Sequence, residues 1–226
     1  MRNIYPIQAR SAGSSSGAGI ARRGLWRKLE PSVTERLEFL GAFLRQPVTT
    51  GSLAPSSPWL ARAMVRGCAL TEAKSVVEFG PGTGAFTRLI LHRIGEQTTF
   101  IALELAGEQA RRLRERFPRV EVYNDSAEKV QKYLVSHGCK KADYIISGLP
   151  WANMPVKTQE RILNAVLANL APNGMFTTFT YIHAYWLPSA RRFRKRLNEH
   201  FAQVRKSRII WRNAPPALVY RCRLKV

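Results

Sequence analysis

The segment 76–84, Val-Val-Glu-Phe-Gly-Pro-Gly-Thr-Gly, carries an apolar run straight into a turn with glycine at every second position. Glycine accepts φ > 0 and lets bare backbone approach a ligand, and the following 85–94 reads as a helix whose first turn has free N–H groups. A strand, a tight turn and a helix in that order predict an α/β unit with its ligand at the carboxyl edge of a parallel sheet. The spacing is G-x-G-x-G over Gly80, Gly82 and Gly84, with the acid Glu78 two residues ahead of the first glycine. It departs from the G-x-G-x-x-G of a pyrophosphate cradle, so a nucleoside-plus-carboxylate ligand fits better than a dinucleotide.

Two further segments repeat the pattern of a strand ending in an acid. Residues 98–103 are β-rich and run into Glu104 and Leu105, twenty residues past Gly84, where a carboxylate can accept both hydroxyls of a ribose. A third strand, 119–123, runs into Asn124, Asp125 and Ser126, which is also an ordinary turn sequence. Beyond it the chain predicts a strand at 143–147, a helix at 157–170, a turn at Pro172-Asn173-Gly174 and a fifth strand at 175–182. A short basic helix at 191–199 and two last strands at 204–211 and 217–224, around Asn213-Ala214-Pro215-Pro216, complete the series. The fold expected is α/β and Rossmann-like, a seven-stranded, mostly parallel sheet closed by an antiparallel hairpin.

Length and charge set the domain plan and the partners. At 226 residues the chain accommodates one domain, expected over 58–226, with an extension before it. Residues 1–24 are rich in Ser, Gly, Ala and Arg and hold no acid, which predicts a disordered basic tail; the same composition resembles an organellar transit peptide. In 31–45, Val33, Leu37, Leu40 and Leu44 share one helical face, widened by Phe39 and Phe43 and preceded by Trp26. Such a helix either docks on the domain or lies in a membrane interface. The turn-rich 50–57 is placed to close over the cofactor, and Ser57 is a good N-cap for a helix at 58–68.

A net charge of +21 draws the protein to a polyanion, either nucleic acid or an anionic bilayer. From 187 to 226 there are twelve Arg or Lys against Glu199 alone. Cys68, Cys139 and Cys222 are widely spaced, without a C-x-x-C, which points to a reducing compartment and no metal site. No run reaches the ~18 apolar residues needed to span a bilayer, so membrane contact is expected to be peripheral.

The run Glu78-Phe79-Gly80-Pro81-Gly82-Thr83-Gly84 resembles motif I of class I S-adenosylmethionine-dependent methyltransferases. The resemblance implies that Glu78 orients the amino-acid end of S-adenosylmethionine, that Gly80, Gly82 and Gly84 pack under it, that Glu104 with Leu105 holds the ribose, and that Asp125 with Ser126 meets the adenine. Ser147-Gly148-Leu149-Pro150-Trp151 resembles the N-x-P-Y motif of adenine N6 methyltransferases, but Gly148 stands where that motif supplies a side-chain acceptor for the amine. Ser147, one residue early, is expected on the other face of the strand.

Bacterial phospholipid N-methyltransferases are similar over about 35–226. The similarity rests on Phe43-Leu44 with Pro47 and Thr50-Gly51-Ser52-Leu53-Ala54-Pro55-Ser56-Ser57, on motif I, on Ser147-Gly148-Leu149-Pro150, and on Trp211-Arg212-Asn213-x-Pro215-Pro216-Ala217. It implies N-methylation of phosphatidylethanolamine toward phosphatidylcholine on the cytoplasmic face of an anionic membrane, with the 31–45 helix and basic residues as anchors. The acceptor site is then Gly148, Leu149 and Pro150 together with Tyr181 and His183. Phe179, Tyr181, His183 and Tyr185 alternate at the end of the fifth strand, and Arg191, Arg192 and Arg194 are candidates for lipid phosphates. An RNA adenine dimethyltransferase and a non-catalytic RNA-binding protein of the same fold are the competing readings. The sequence carries no signal of oligomeric state.

Overall fold

A computed structural model describes residues 56–224. The expected basic tail, the amphipathic 31–45 helix and most of the lid loop lie outside the described residues. Within them, seven strands and six α-helices alternate: α1 (Pro58–Met64), β1 (Ser75–Phe79), α2 (Ala85–Leu91), β2 (Thr99–Leu103), α3 (Gly107–Arg116), β3 (Glu121–Tyr123), α4 (Val130–Ser136), β4 (Ala142–Ser147), α5 (Val156–Asn169), β5 (Leu170–Tyr181), α6 (Pro188–His200), β6 (Gln203–Lys206) and β7 (Ala217–Arg223). They form one sheet in the order β3-β2-β1-β4-β5-β7-β6. β1 through β5 pair in parallel, and β7 runs antiparallel to both β5 and β6.

The two-residue period of the strands splits the core into two layers. Val77, Phe79, Ile101, Ile145 and Phe176 point to one face, covered by α4, α5 and α6. Val76, Phe100, Ala102, Ile146 and Phe179 point to the other, covered by α1, α2 and α3. All five residues of β1 are buried, as a central parallel strand with helices on both sides requires. Every parallel strand ends at the same edge, so the loops after β1, β2, β3 and β4 gather there.

Three sequence boundaries differ for physical reasons. The Pro172-Asn173-Gly174 turn does not precede β5 but bulges within it, the ladder stepping from Ala142–Leu170 to Tyr144–Met175. A Cβ on Gly174 would stand 2.7 Å from the Asp143 carbonyl, so the bulge admits no side chain. The basic helix starts at Pro188, a proline at its first turn that the charge pattern alone did not mark, and Phe193 and Leu197 are its buried side. The closing antiparallel hairpin forms as expected, with β7 beside β5 and β6 at the edge, but β6 ends at Lys206 instead of residue 211, with a single bridge from Ile210 to Ala217 beyond it.

The start of α1 is joined to the approach to β7. Asn213 is 3 % exposed; its Oδ1 accepts the Ser57 N–H at 2.9 Å and its Nδ2 donates to the Pro215 carbonyl at 2.7 Å. Ser57 caps α1, its hydroxyl accepting the Leu60 N–H at 3.2 Å. Arg221 of β7 adds bonds to the Ala63 and Arg66 carbonyls. Losing a buried side chain that serves a donor and an acceptor costs about 1–3 kcal/mol. Asn213→Ala is expected to lower the unfolding free energy by that amount, seen as a lower urea midpoint at an unchanged m-value by circular dichroism.

Candidate active site

The loop after β1 is held from three sides. Gly80, Gly82 and Gly84 have φ of 62°, 55° and 79°, which confines the turn to residues without a Cβ penalty. Space adds to this at two of them. A Cβ on Gly80 would stand 2.8 Å from Leu149, and one on Gly84 would stand 2.4 Å from the Phe117 ring. At Gly82 the nearest atom would be 3.8 Å away, so there the dihedral angle alone selects glycine.

Glu78 lies under this loop, fully buried. Its Oε2 accepts the Thr87 hydroxyl of α2 at 2.7 Å, while its Oε1 has no hydrogen-bond partner among the described residues. Burial drives its carboxyl up from 4.5 to about 8, with the nearby Glu104 charge adding to the rise and the Thr87 bond opposing it. An unpaired, buried carboxyl oxygen beside a glycine turn is the feature a cationic or donor-bearing ligand would complete.

Glu104 closes the loop from the β2 side. One oxygen accepts the Gly82 N–H and the other the Ala106 N–H, each at 3.0 Å. Burial raises its pKa, and those backbone bonds counter the rise. Asn124 then clamps the β2 turn, donating to the carbonyls of Glu104 at 3.0 Å and Leu105 at 2.9 Å. Asp125, at the end of β3, is already engaged: Tyr133 donates to it at 2.7 Å, the Ser126 N–H at 2.8 Å, and Lys129 pairs with it at 3.1 Å. Burial pushes its carboxyl up, but these three partners outweigh that and leave it lowered. Ser126 uses its hydroxyl to cap the next turn at Glu128. Glu78, Gly80, Gly82, Gly84 and Glu104 are thus brought together, with Leu105 and Asp125 on the adjoining turns.

The loop after β4 meets the glycine loop backbone to backbone. Gly148 N–H donates to the Phe79 carbonyl at 2.7 Å, and a Cβ on Gly148 would stand 2.6 Å from the Gly80 carbonyl oxygen. No side chain fits at Gly148, so the missing acceptor is imposed by packing. Ser147 faces the interior, as strand alternation predicts, and accepts the Trp151 indole N–H at 3.1 Å. Trp151 is 2 % exposed and stacks on Phe193 with centroids 4.3 Å apart. The aromatic after Pro150 is therefore a core residue.

At the end of β5, the alternation of aromatics stops at Tyr181, because Ile182–Ala184 forms a 3-10 turn. Tyr181 and His183 nevertheless stack, with centroids 5.6 Å apart and planes at 11°, Tyr181 half-buried and His183 exposed. Tyr185 departs from them and lies under Arg194, whose guanidinium is 3.9 Å from its ring centroid and donates to its carbonyl. Arg194 is thereby committed within the fold. A cavity of about 380 Å³ opens beside α1 and α2, touching the glycine loop only at Thr83 and Gly84 and lined by Arg62, Arg88, His92 and Arg116. Thr87 carries no sequence signal of its own, and Asn124 and Asn213, which the sequence marks only as turn or motif residues, take their roles from partners about 20 and 156 positions away.

The region 76–174 matches the family model described as a methyltransferase domain. The ornithine lipid N-methyltransferase of Singulisphaera acidiphila is 36 % identical over 188 residues, 82 % of this chain and 94 % of that protein. This chain belongs to that family of S-adenosylmethionine-dependent N-methyltransferases. Ribosomal RNA small subunit methyltransferase A of Acidobacterium capsulatum is 32 % identical over 132 residues, 57 % of this chain but only 44 % of that protein. Among solved structures, the O-methyltransferase of Bacillus cereus in complex with SAH shares the fold, with a TM-score of 0.54 at 15 % identity over 87 % of this chain and 94 % of that one. The methyltransferase uses S-adenosylmethionine as its cofactor, and its unpaired buried Glu78 oxygen and its glycine turn suit that ligand.

Two outcomes follow for the N-methyltransferase. Glu78 binds its proton more tightly folded than unfolded, so its contribution to stability falls as pH rises from about 4.5 to about 8 and stays lost above. Without ligand, Glu78→Gln should leave the melting temperature unchanged near pH 5 and raise it relative to wild type at pH 9, by scanning calorimetry. Gly148→Ala should abolish saturable S-adenosylhomocysteine binding in isothermal calorimetry, because the added methyl would stand 2.6 Å from the Gly80 backbone carbonyl and displace the glycine loop.

Proposed function

We propose that this enzyme methylates the amine of phosphatidylethanolamine, toward phosphatidylcholine, at the surface of an anionic membrane. The observation that carries the reading is the pairing of Gly148 and Trp151: one has no room for a side chain, the other is buried in the core, so a flipped nucleobase would find neither an amine acceptor nor a stacking ring there. The 36 % identical relative, an ornithine lipid N-methyltransferase, supports a lipid amine as acceptor. No helix among the described residues is long and apolar enough to cross a membrane; the proposed attachment is peripheral, on the cytoplasmic face.

Bound at the glycine turn, S-adenosylmethionine supplies an electrophilic methyl on sulfur. Glu78 would hold its amino-acid end, Glu104 with Leu105 its ribose, and Asp125 with Ser126 its adenine. The Gly148, Leu149 and Pro150 backbone would form the wall along which a neutral amine aligns with the carbon–sulfur bond, so orientation and exclusion of water carry most of the acceleration. Burial raises the Tyr181 pKa, which keeps its hydroxyl protonated at neutral pH, able to donate to the headgroup phosphate or accept from the amine. His183, exposed and stacked on Tyr181, would meet the phosphate or take the released proton.

Labelled S-adenosylmethionine offered with phosphatidylethanolamine vesicles, ornithine lipid vesicles or RNA tests the substrate. Label in phosphatidylethanolamine is expected; label in ornithine lipid alone would move the acceptor, and label in RNA alone would overturn the reading. Holding a ligand ammonium requires Glu78 as a carboxylate, so binding below pH 8 should release a proton. S-adenosylhomocysteine affinity should rise from pH 6 to pH 8 by up to about tenfold per unit, and Glu78→Gln should flatten that slope.

A further inference from the structure

Three tryptophans are exposed in the described part of the protein, and all three leave from the carboxyl edge of the sheet. Trp59 is 44 % exposed, Trp186 67 % and Trp211 71 %. Trp59 follows the Ser57 cap that Asn213 binds. Trp211 adjoins Ile210, whose N–H donates to the Ala217 carbonyl, and Ala217 pairs with Tyr181. Trp186 lies five residues beyond Tyr181, next to Leu187, itself 42 % exposed. Each ring thus stands near the Tyr181 and His183 end of β5, where the acceptor is proposed to enter.

Soluble proteins seldom leave large apolar side chains grouped around one edge unless that edge meets something. Cations accompany these rings. Arg212 lies 5.2 Å from the Trp59 centroid and Arg191 5.8 Å from that of Trp186. Arg62 follows Trp59 by three residues on α1 and opens onto the groove shared with Arg88 and Arg116. Indole rings sit at the headgroup level of a bilayer, and arginines bind phosphates there.

We infer that the carboxyl edge is itself a docking face for an anionic bilayer, with Trp59, Trp186 and Trp211 inserted among the headgroups and Arg62, Arg191 and Arg212 on lipid phosphates. The face presents the Tyr181 end of β5 directly to the membrane, so an acceptor lipid reaches the methyl group without leaving its leaflet. This rests on the lipid-methyltransferase reading and adds a contact independent of the 31–45 segment.

The test uses the full chain carrying Trp26→Phe, so that quenchable fluorescence reports on Trp59, Trp186 and Trp211, with Trp151 buried. Vesicles with phosphatidylglycerol and lipids brominated near the headgroup are expected to quench it, and phosphatidylcholine vesicles or high salt to weaken the effect. Replacing the three tryptophans by serine should raise the apparent KM for vesicle lipid at least about tenfold, with kcat on a short-chain soluble substrate and S-adenosylhomocysteine affinity retained. Trp211→Ser alone, at the most exposed of the three, should show part of that KM rise with an unchanged melting temperature. Methyl transfer to vesicle lipid with no quenching and no KM change would overturn the docking face while leaving the lipid reading intact. A concentration-dependent dimer that the serine variants dissociate would overturn it in favour of a second copy of the chain. Quenching without methyl transfer to any lipid would support the docking face and remove the substrate reading.

Discussion

The site depends on a contact in which no side chain takes part. The Gly148 N–H reaches the Phe79 carbonyl at 2.7 Å, and its α-carbon presses on the Gly80 carbonyl so closely that even a methyl group is excluded. This contact fixes the loops after β1 and β4 to each other. The positive φ values at the glycines, the Leu149 side chain against Gly80 and the Glu104 bond to Gly82 hold the same loop in place. It also determines which chemistry is left out. A carboxamide at Gly148 would require a different course of the glycine loop, so exclusion of a base acceptor and grip on the cofactor have one cause.

The cofactor half of this arrangement was legible in the chain because it is local. An apolar strand, a glycine turn and a helix occupy one continuous stretch, and Glu104 ends the next strand in the same way. Strand positions were right to within a few residues apart from two: β5 begins earlier and takes the predicted turn inside it as a bulge, and β6 stops at Lys206 where a strand to residue 211 was expected. The first error has a plain origin: Pro, Asn and Gly mark a chain reversal whether or not a ladder resumes on the near side.

What sequence could not give was the direction of side chains that answer to partners far away. Trp151 sits where a stacking residue occurs in a related motif, and only the presence of Phe193, 42 residues later, makes it part of the core. Asp125 reads as a free acid at a strand end, yet Lys129 of the following 3-10 turn and Tyr133 of α4 both bind it. Tyr185 continues an alternating series on paper, but a 3-10 turn redirects it toward Arg194.

The bond between Ser57 and Asn213 spans 156 positions. The helix beside the glycine turn packs on the core through Leu60, Ala61 and Met64, but the bond at its start and the two Arg221 bonds at its end exist only once the final hairpin is in place. Contacts of such wide separation form late and slowly. The last strand therefore ties down both ends of α1, the helix that flanks the glycine turn.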